Sequence, residues 1–329
     1  MDASALHATP KRRTWRAKAP AILWLVCGLV LAVWLIYHFG APAVADALRA
    51  VGWEGFLAIS AFHLLSTVLM GLAWWRLRRT GKRRVFIWGR MLRDAGSEVL
   101  PLSQVGGSVL AVRAVVLHGV SVAVATASVV IDITMEFSAQ IAFAALGLAL
   151  LVWLLPHSAL AGPALLGLAL ALIGAGTFIL IQRQGSDFLV RAATRFASTG
   201  IGAALAGASI VQTELRQTYR TTSVWPSFLM HFLAWLLDGI EVWIALKLMG
   251  AQMSFAAILI MESLLYAARS MAFLVPNAMG VQEGAYVLLG AALGLTPSLA
   301  LGLSLLKRGR DMLLGIPALV TWQIVESKR

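Results

Sequence analysis

Between Val275 and Asp311 an otherwise apolar sequence contains Pro276, Asn277, Glu283 and the cluster Lys307, Arg308, Arg310 and Asp311, with glycines spaced among them. Proline and glycine interrupt a helix and release backbone polar groups that lipid cannot satisfy, so such a stretch must be buried in protein or line a wet cavity. Ionisable groups at membrane depth cost roughly 2.5 to 3.5 kcal/mol each on insertion scales, so their presence points to a site or a pathway. The stretch from Leu92 to His118 is similar, interrupted by Glu98, Pro101, Gln104, Gly106, Gly107 and Arg113. Two further acid pairs are embedded in apolar sequence: Asp132 with Glu136, on one helical face, and Asp238 with Glu241. Their chemistry is either proton carriage or structural pairing with Arg113, Lys247 or Arg269. For Glu283 and Arg310 the alternatives are a cavity that receives a headgroup or relays a proton, and a buried ion pair that fixes the fold. The candidate cavity residues are Glu98, Pro101, Arg113, Glu136, Pro276, Asn277, Glu283, Arg310 and Asp311.

Other chemistries can be tested against the same residues. A terpene cyclase or prenyltransferase needs clustered aspartates, yet Asp132, Asp187, Asp238 and Asp311 lie far apart in sequence. The six histidines never recur at the short helical spacing of metal ligands on one face, and no glycine-rich loop with Lys-Ser or Lys-Thr supports ATP hydrolysis. The single cysteine, Cys27, allows no internal disulfide and no thiol cluster. No catalytic residue, cofactor or metal is expected.

The elements that must position these groups are membrane helices. Of 329 residues 60% are hydrophobic and 13% charged, and mean hydropathy is +0.82, well beyond the roughly 45 to 50% apolar content of a soluble domain. The net charge of +12 lies in short blocks flanking apolar runs, which excludes a nucleic-acid surface and fits the positive-inside rule. A basic tail, residues 1–18, precedes the run Ala19 to Phe39, which is too long for a signal-peptide core and reads as an uncleaved first span. Further spans are expected at Gly55 to Trp75, Val120 to Leu155, Leu160 to Ile181, Trp225 to Met249, Phe255 to Val275 and Met312 to Val325. Arg76 to Arg90 forms a basic cytoplasmic block, while the loop with Asp46, Arg49 and Glu54 reads as external. Gln182 to Ser223 reads either as an amphipathic connector lying on the membrane or as a solvated loop with some helix. The expected fold is therefore all-α and polytopic: about six spans plus two broken or re-entrant segments in one membrane domain, 19–329, with both termini cytoplasmic.

An offset of 175 residues relates the two broken regions. It pairs Pro101 with Pro276, Gly119 with Gly294, and Glu136 with Asp311, and each copy follows a span. Breaker, small-residue half-helix, glycine, apolar half-helix and acid recur in the same order. Halves at about 50–155 and 225–326 that run oppositely through the bilayer match inverted-repeat transporters, whose broken helices meet near the midplane.

The segment PNAMGVQEGAYVLLG from Pro276 to Gly290, GLTP at Gly294 to Pro297, LLKRGRD from Leu305 to Asp311 and EVLPLSQVGG at Glu98 to Gly107 together resemble the lysylphosphatidylglycerol synthase transmembrane-domain family. Within it the likeness is to membrane proteins associated with hopanoid biosynthesis. The resemblance implies a flippase-like membrane domain that moves or presents a lipid: a hopanoid, a related polyisoprenoid or an anionic phospholipid. In aminoacyl-lipid members a separate soluble domain performs aminoacyl transfer; here the sequence ends at Arg329, just after the last apolar run, so the expectation is a protein that is not an enzyme. A bacterial cytoplasmic (inner) membrane location is expected, with lipid-synthesis enzymes as partners in the scaffold alternative. The alternatives are a non-catalytic scaffold for such enzymes, docking through 182–223, and an intramembrane lipid-modifying enzyme using the same acids as bases.

Overall fold

The computed structural model describes residues 41–78, 81–98, 103–184, 200–221, 224–272 and 275–328, with isolated positions at 30, 33, 34 and 37. The basic tail 1–18, most of the expected span Ala19 to Phe39, Pro101, and residues 185–199 of the expected connector lie outside the described residues.

The described residues form ten α-helices and no strand. In chain order these are α1 (Ala41–Arg78), α2 (Arg83–Glu98), α3 (Ser103–Val116), α4 (Val122–Leu154), α5 (Ala161–Gln184), α6 (Gly200–Thr221), α7 (Trp225–Leu248), α8 (Phe255–Met271), α9 (Val281–Ala292) and α10 (Pro297–Ser327), with a 3-10 turn at Pro276–Ala278. Four of them, α1, α4, α5 and α7, are long and apolar enough to cross a bilayer. The chain is a polytopic membrane protein.

Helices α2 and α3, of 16 and 14 residues, rise about 24 and 21 Å, short of the roughly 30 Å hydrocarbon thickness. They pack on each other as a hairpin, so the stretch Leu92 to His118, expected to be broken or re-entrant, is divided between two helices. The second hairpin is α8 and α9, of 17 and 12 residues, so the stretch Phe255 to Val275, expected as a span, stops at Met271 and forms an arm instead. Conversely, Leu306 and Met312, expected to separate two segments, lie within the single 31-residue helix α10, because its charged residues find protein partners and no break is needed. Asp46, Arg49 and Glu54, expected in a loop, sit on the first turns of α1, which kinks at Gly52 (φ 63°).

The 175-residue offset maps α1 on α7, α2 on α8, α3 on α9 and α4 on α10. The packing is reciprocal. Helix α1 lies against α7; α4 packs on α8 while α10 packs on α2; and α4 packs on α7 while α10 packs on α1. Contacts in which i meets j and the counterpart of j meets the counterpart of i are those of two units about a two-fold axis. Local details repeat as well. Gly119 (φ 91°) and Gly294 (φ 86°) take a backbone conformation open to glycine. Two residues on, Ser121 and Thr296 cap α4 and α10 through their side-chain oxygens. Helices α5 and α6 lie outside this scheme and pack on α4 and on each other. Leu215 of α6 is buried with the core of α2, α3 and α4, so this part of the expected surface connector is integrated in the bundle.

The first hairpin closes tightly at its glycines. A Cβ at Gly107 would lie 2.2 Å from the Arg93 carbonyl oxygen and 2.4 Å from Ser97 Oγ. Gly107→Ala should therefore push the arms apart and destabilise by about 1 to 3 kcal/mol, the usual cost of overpacking a fixed backbone. Thermal unfolding of the purified variant checks this, and wild-type stability would refute the close packing.

Candidate functional site

The two hairpins meet tip to tip. Arg269, in the last turn of α8, donates from Nη2 to both carboxylate oxygens of Glu98 (2.8 and 2.9 Å) at the end of α2, and Asn277 Nδ2 donates to the Glu98 carbonyl (2.6 Å). Asn277 and Ala278 adopt positive φ of 53° and 44°, a conformation that costs a non-glycine residue free energy and is found where the surroundings impose it. Behind the tips lies a cavity of about 530 Å3 between α1, α2, α3, α4, α7, α8 and α10, the size of a small-molecule site.

Arginines and carboxylates from different helices wall the cavity. On the first side, Arg90 of α2 donates Nη1 and Nη2 to the two oxygens of Glu136 on α4 (3.0 and 2.9 Å) and Nε to Asp94 (2.9 Å). Arg93 bridges Glu136 and Asp132 (2.9 Å to the latter), and Asp132 also contacts His231 Nε2 of α7 (2.9 Å). On the second side, Arg310 of α10 bridges Glu241 of α7 and its neighbour Asp311 (2.7 and 3.0 Å to the latter). Glu241 also contacts His63 Nδ1 of α1 at 2.8 Å, and His63 lies 3.8 Å from Asp238. Tyr266 of α8 donates to Asp238 (3.4 Å), while Lys307 donates to Glu262 (2.7 Å) and to Tyr266 (3.5 Å). His63 and Asp238 are themselves 175 residues apart, so equivalent positions of the two halves face each other at the centre.

Of the residues expected at the cavity, Glu98, Glu136, Asn277, Arg310 and Asp311 line it. Glu283 does not pair with Arg310. It accepts from Gly280 N (2.7 Å) at the start of α9 and pairs with Arg308 (2.5 Å), which also donates to the Asn277 carbonyl (3.4 Å). Its position three residues after Gly280 makes it the capping carboxylate of α9, and this role braces the hairpin. Pro276 contributes the backbone of the 3-10 turn. Arg113 is half exposed and pairs with Glu326 at 2.9 Å instead of with Asp132 or Glu136, which take Arg90 and Arg93. Lys247 stacks on Trp243 (3.9 Å) and Arg269 takes Glu98, so none of the three bases offered to the embedded acids is their partner.

The residues that complete the site are Arg90, Arg93, Arg269, His63 and Tyr266. Arg90 falls in the block read as cytoplasmic, yet it is buried against Glu136 and Asp94. The available signal was the spacing of Arg90, Arg93 and Asp94 on one face of a helix too short to cross. His63 was invisible to a search for histidines on one helix, because its neighbours Asp238 and Glu241 belong to another.

Guanidinium groups present planar forks matched to carboxylate or phosphate, and here every one of the four arginines is held by carboxylates of the protein itself. The arrangement thus places paired ionic groups around a cavity inside a membrane protein. A family model described as lysylphosphatidylglycerol synthase TM region matches residues 21–318, and the chain belongs to that family. No curated protein and no solved structure matches it.

Removing one partner of a buried ion pair leaves the other unsolvated, at about 3 to 5 kcal/mol. Glu136→Gln, which takes a charge from both Arg90 and Arg93, should cost that much in chemical unfolding of the purified protein. Arg113→Gln breaks an exposed pair worth about 0 to 1 kcal/mol and should be nearly silent. Equal effects would contradict the buried network.

Proposed function

We propose that this member of a lipid-handling membrane family moves a lipid across the bilayer, holding its anionic headgroup in the arginine-lined cavity while the apolar tail stays in the hydrocarbon. The observation that carries the reading is a cavity of about 530 Å3 with Arg90, Arg93, Arg269 and Arg310 on its walls, formed where two re-entrant hairpins meet. Buried ion pairs are a poor means of stabilisation, since apolar replacements of similar volume are often neutral or better. A cavity walled by four of them is explained by what it admits. A headgroup crossing bare hydrocarbon would bear the full cost of an unsatisfied polar group; here phosphate oxygens can take the place of Glu98 or Glu136 on the same guanidinium forks.

We read the arginines as favouring a lipid phosphate, on a polyisoprenoid or a glycerol backbone, because only an anion could exchange with their carboxylates, whereas an uncharged hopanoid would leave those pairs as they are. The two halves act as an inverted repeat, and rocking of α2–α3 against α10 and of α8–α9 against α4 presents the cavity to either face in turn. Each rocking step opens the Glu98–Arg269 contact between the tips and frees Arg269 to hold the headgroup. The bacterial cytoplasmic membrane is the setting. A scaffold docking through 182–223 is less well supported, because Leu215 already spends part of that face inside the bundle.

Purified protein in liposomes should accelerate transbilayer exchange of labelled polyisoprenyl phosphate or phosphatidylglycerol. The paired change Glu98→Gln with Arg269→Gln removes both charges, should keep the melting temperature close to wild type, and should slow exchange about tenfold, equivalent to roughly 1.4 kcal/mol on the barrier. No exchange by the wild-type protein, or exchange indifferent to the arginine, would reject a carrier.

A further inference from the structure

We infer that His63, Asp238 and Glu241 form a binding site for one first-row divalent cation, of the zinc or manganese class, at the centre of the molecule. His63 Nδ1, a carboxylate oxygen of Asp238 and one of Glu241 lie within 4.8 Å of one another, so a single ion can touch all three. The triad is assembled across the α1–α7 contact.

Two further observations point to a cation. Asp238 is buried, and its Oδ1 accepts no hydrogen bond although Oδ2 receives Tyr266; His63 Nδ1 lies 3.8 Å from that free oxygen. An unpaired carboxylate oxygen at this depth is costly, and an ion between it and the imidazole would satisfy it. The second is charge. The network linked to the triad contains four carboxylates, Asp238, Glu241, Glu262 and Asp311, against two cations, Lys307 and Arg310. With His63 neutral, as a ligand requires, the formal balance is −2, which a divalent ion cancels. Arg310 and His63 occupy different oxygens of Glu241, so the arginine is placed to orient the ligating carboxylate from behind.

The ligand set decides the class. One imidazole nitrogen with two carboxylate oxygens suits zinc, manganese or iron, whereas magnesium and calcium prefer all-oxygen surroundings. Three protein ligands also leave room for an outside ligand, and His63 and Asp238 both line the cavity, so the open positions face it. The site goes beyond the lipid-carrier reading and does not depend on it.

The test uses the full chain purified in detergent, stripped with a chelator and dialysed against zinc or manganese. Mass-spectrometric metal content should give about one equivalent per chain, and the same ion should raise the melting temperature. His63→Ala and Asp238→Asn should each lose both effects. His157→Ala, at an exposed histidine, should lose neither. Should either site variant fail to fold, wild-type stoichiometry and cobalt absorption spectra of the chelated and reloaded protein still decide. No retained metal and identical melting with and without each ion would overturn the site, as would retention that survives in folded Asp238→Asn.

Discussion

Charges that lipid will not solvate must solvate one another, and this requirement organises the centre of the molecule. Arg90 and Arg93 from one helix grip Glu136 and Asp132 on another; Arg310 grips Glu241; Lys307 grips Glu262; Arg269 grips Glu98. None of these links lies within one helix, so each fixes the rotation and depth of two elements at once. The backbone obeys the same rule. Helices too short to span, and the turn at Pro276–Ala278, face protein and a cavity, which is where a membrane protein can place irregular backbone. The apolar clusters around the network supply the burial; the ion pairs decide which packing is chosen.

The reciprocal packing gives that network its mechanical meaning. Each hairpin rests on the long helix of the other half, so a movement of one half alters the walls contributed by both. His63 and Asp238 meet at the centre of this arrangement, and the hairpin tips meet at Glu98, Arg269 and Asn277. A cation at the centre and an anion on the arginines would be bound by the same wall, which couples the two chemistries through Arg310 and Glu241. The left-handed backbone at Asn277 and Ala278 lies in the turn that links the second hairpin to this contact.

Much of the scaffold is legible in the sequence, because lipid imposes a simple code: apolar runs of spanning length at Val120 to Leu155, Leu160 to Ile181 and Trp225 to Met249 correspond to α4, α5 and α7 within a few residues. The breaker Pro276 likewise marks a region that turns back, whereas Gly106 lies within α3. The site is only half legible. Glu136, Arg310 and Asp311 stand out as charges in apolar sequence, but partner choice depends on helix rotation, which composition does not encode; hence Glu283 meets Arg308 and Arg113 meets Glu326. Arg90 was hidden for a different reason. It continues a run of surface bases, and only the fold shows that the helix has by then turned it inward.

A cavity that carries a lipid between leaflets must be accessible from both faces of the membrane in turn. In a chain whose only native cysteine, Cys27, is replaced by serine, a single cysteine is placed at Gln140, which lines the cavity, and protein in sealed vesicles is treated with a membrane-impermeant thiol reagent from one side at a time. Modification is expected from both sides, slowed by a phosphate-bearing lipid held on the arginines. Modification from one side only, or from neither, would contradict a cavity that serves both leaflets.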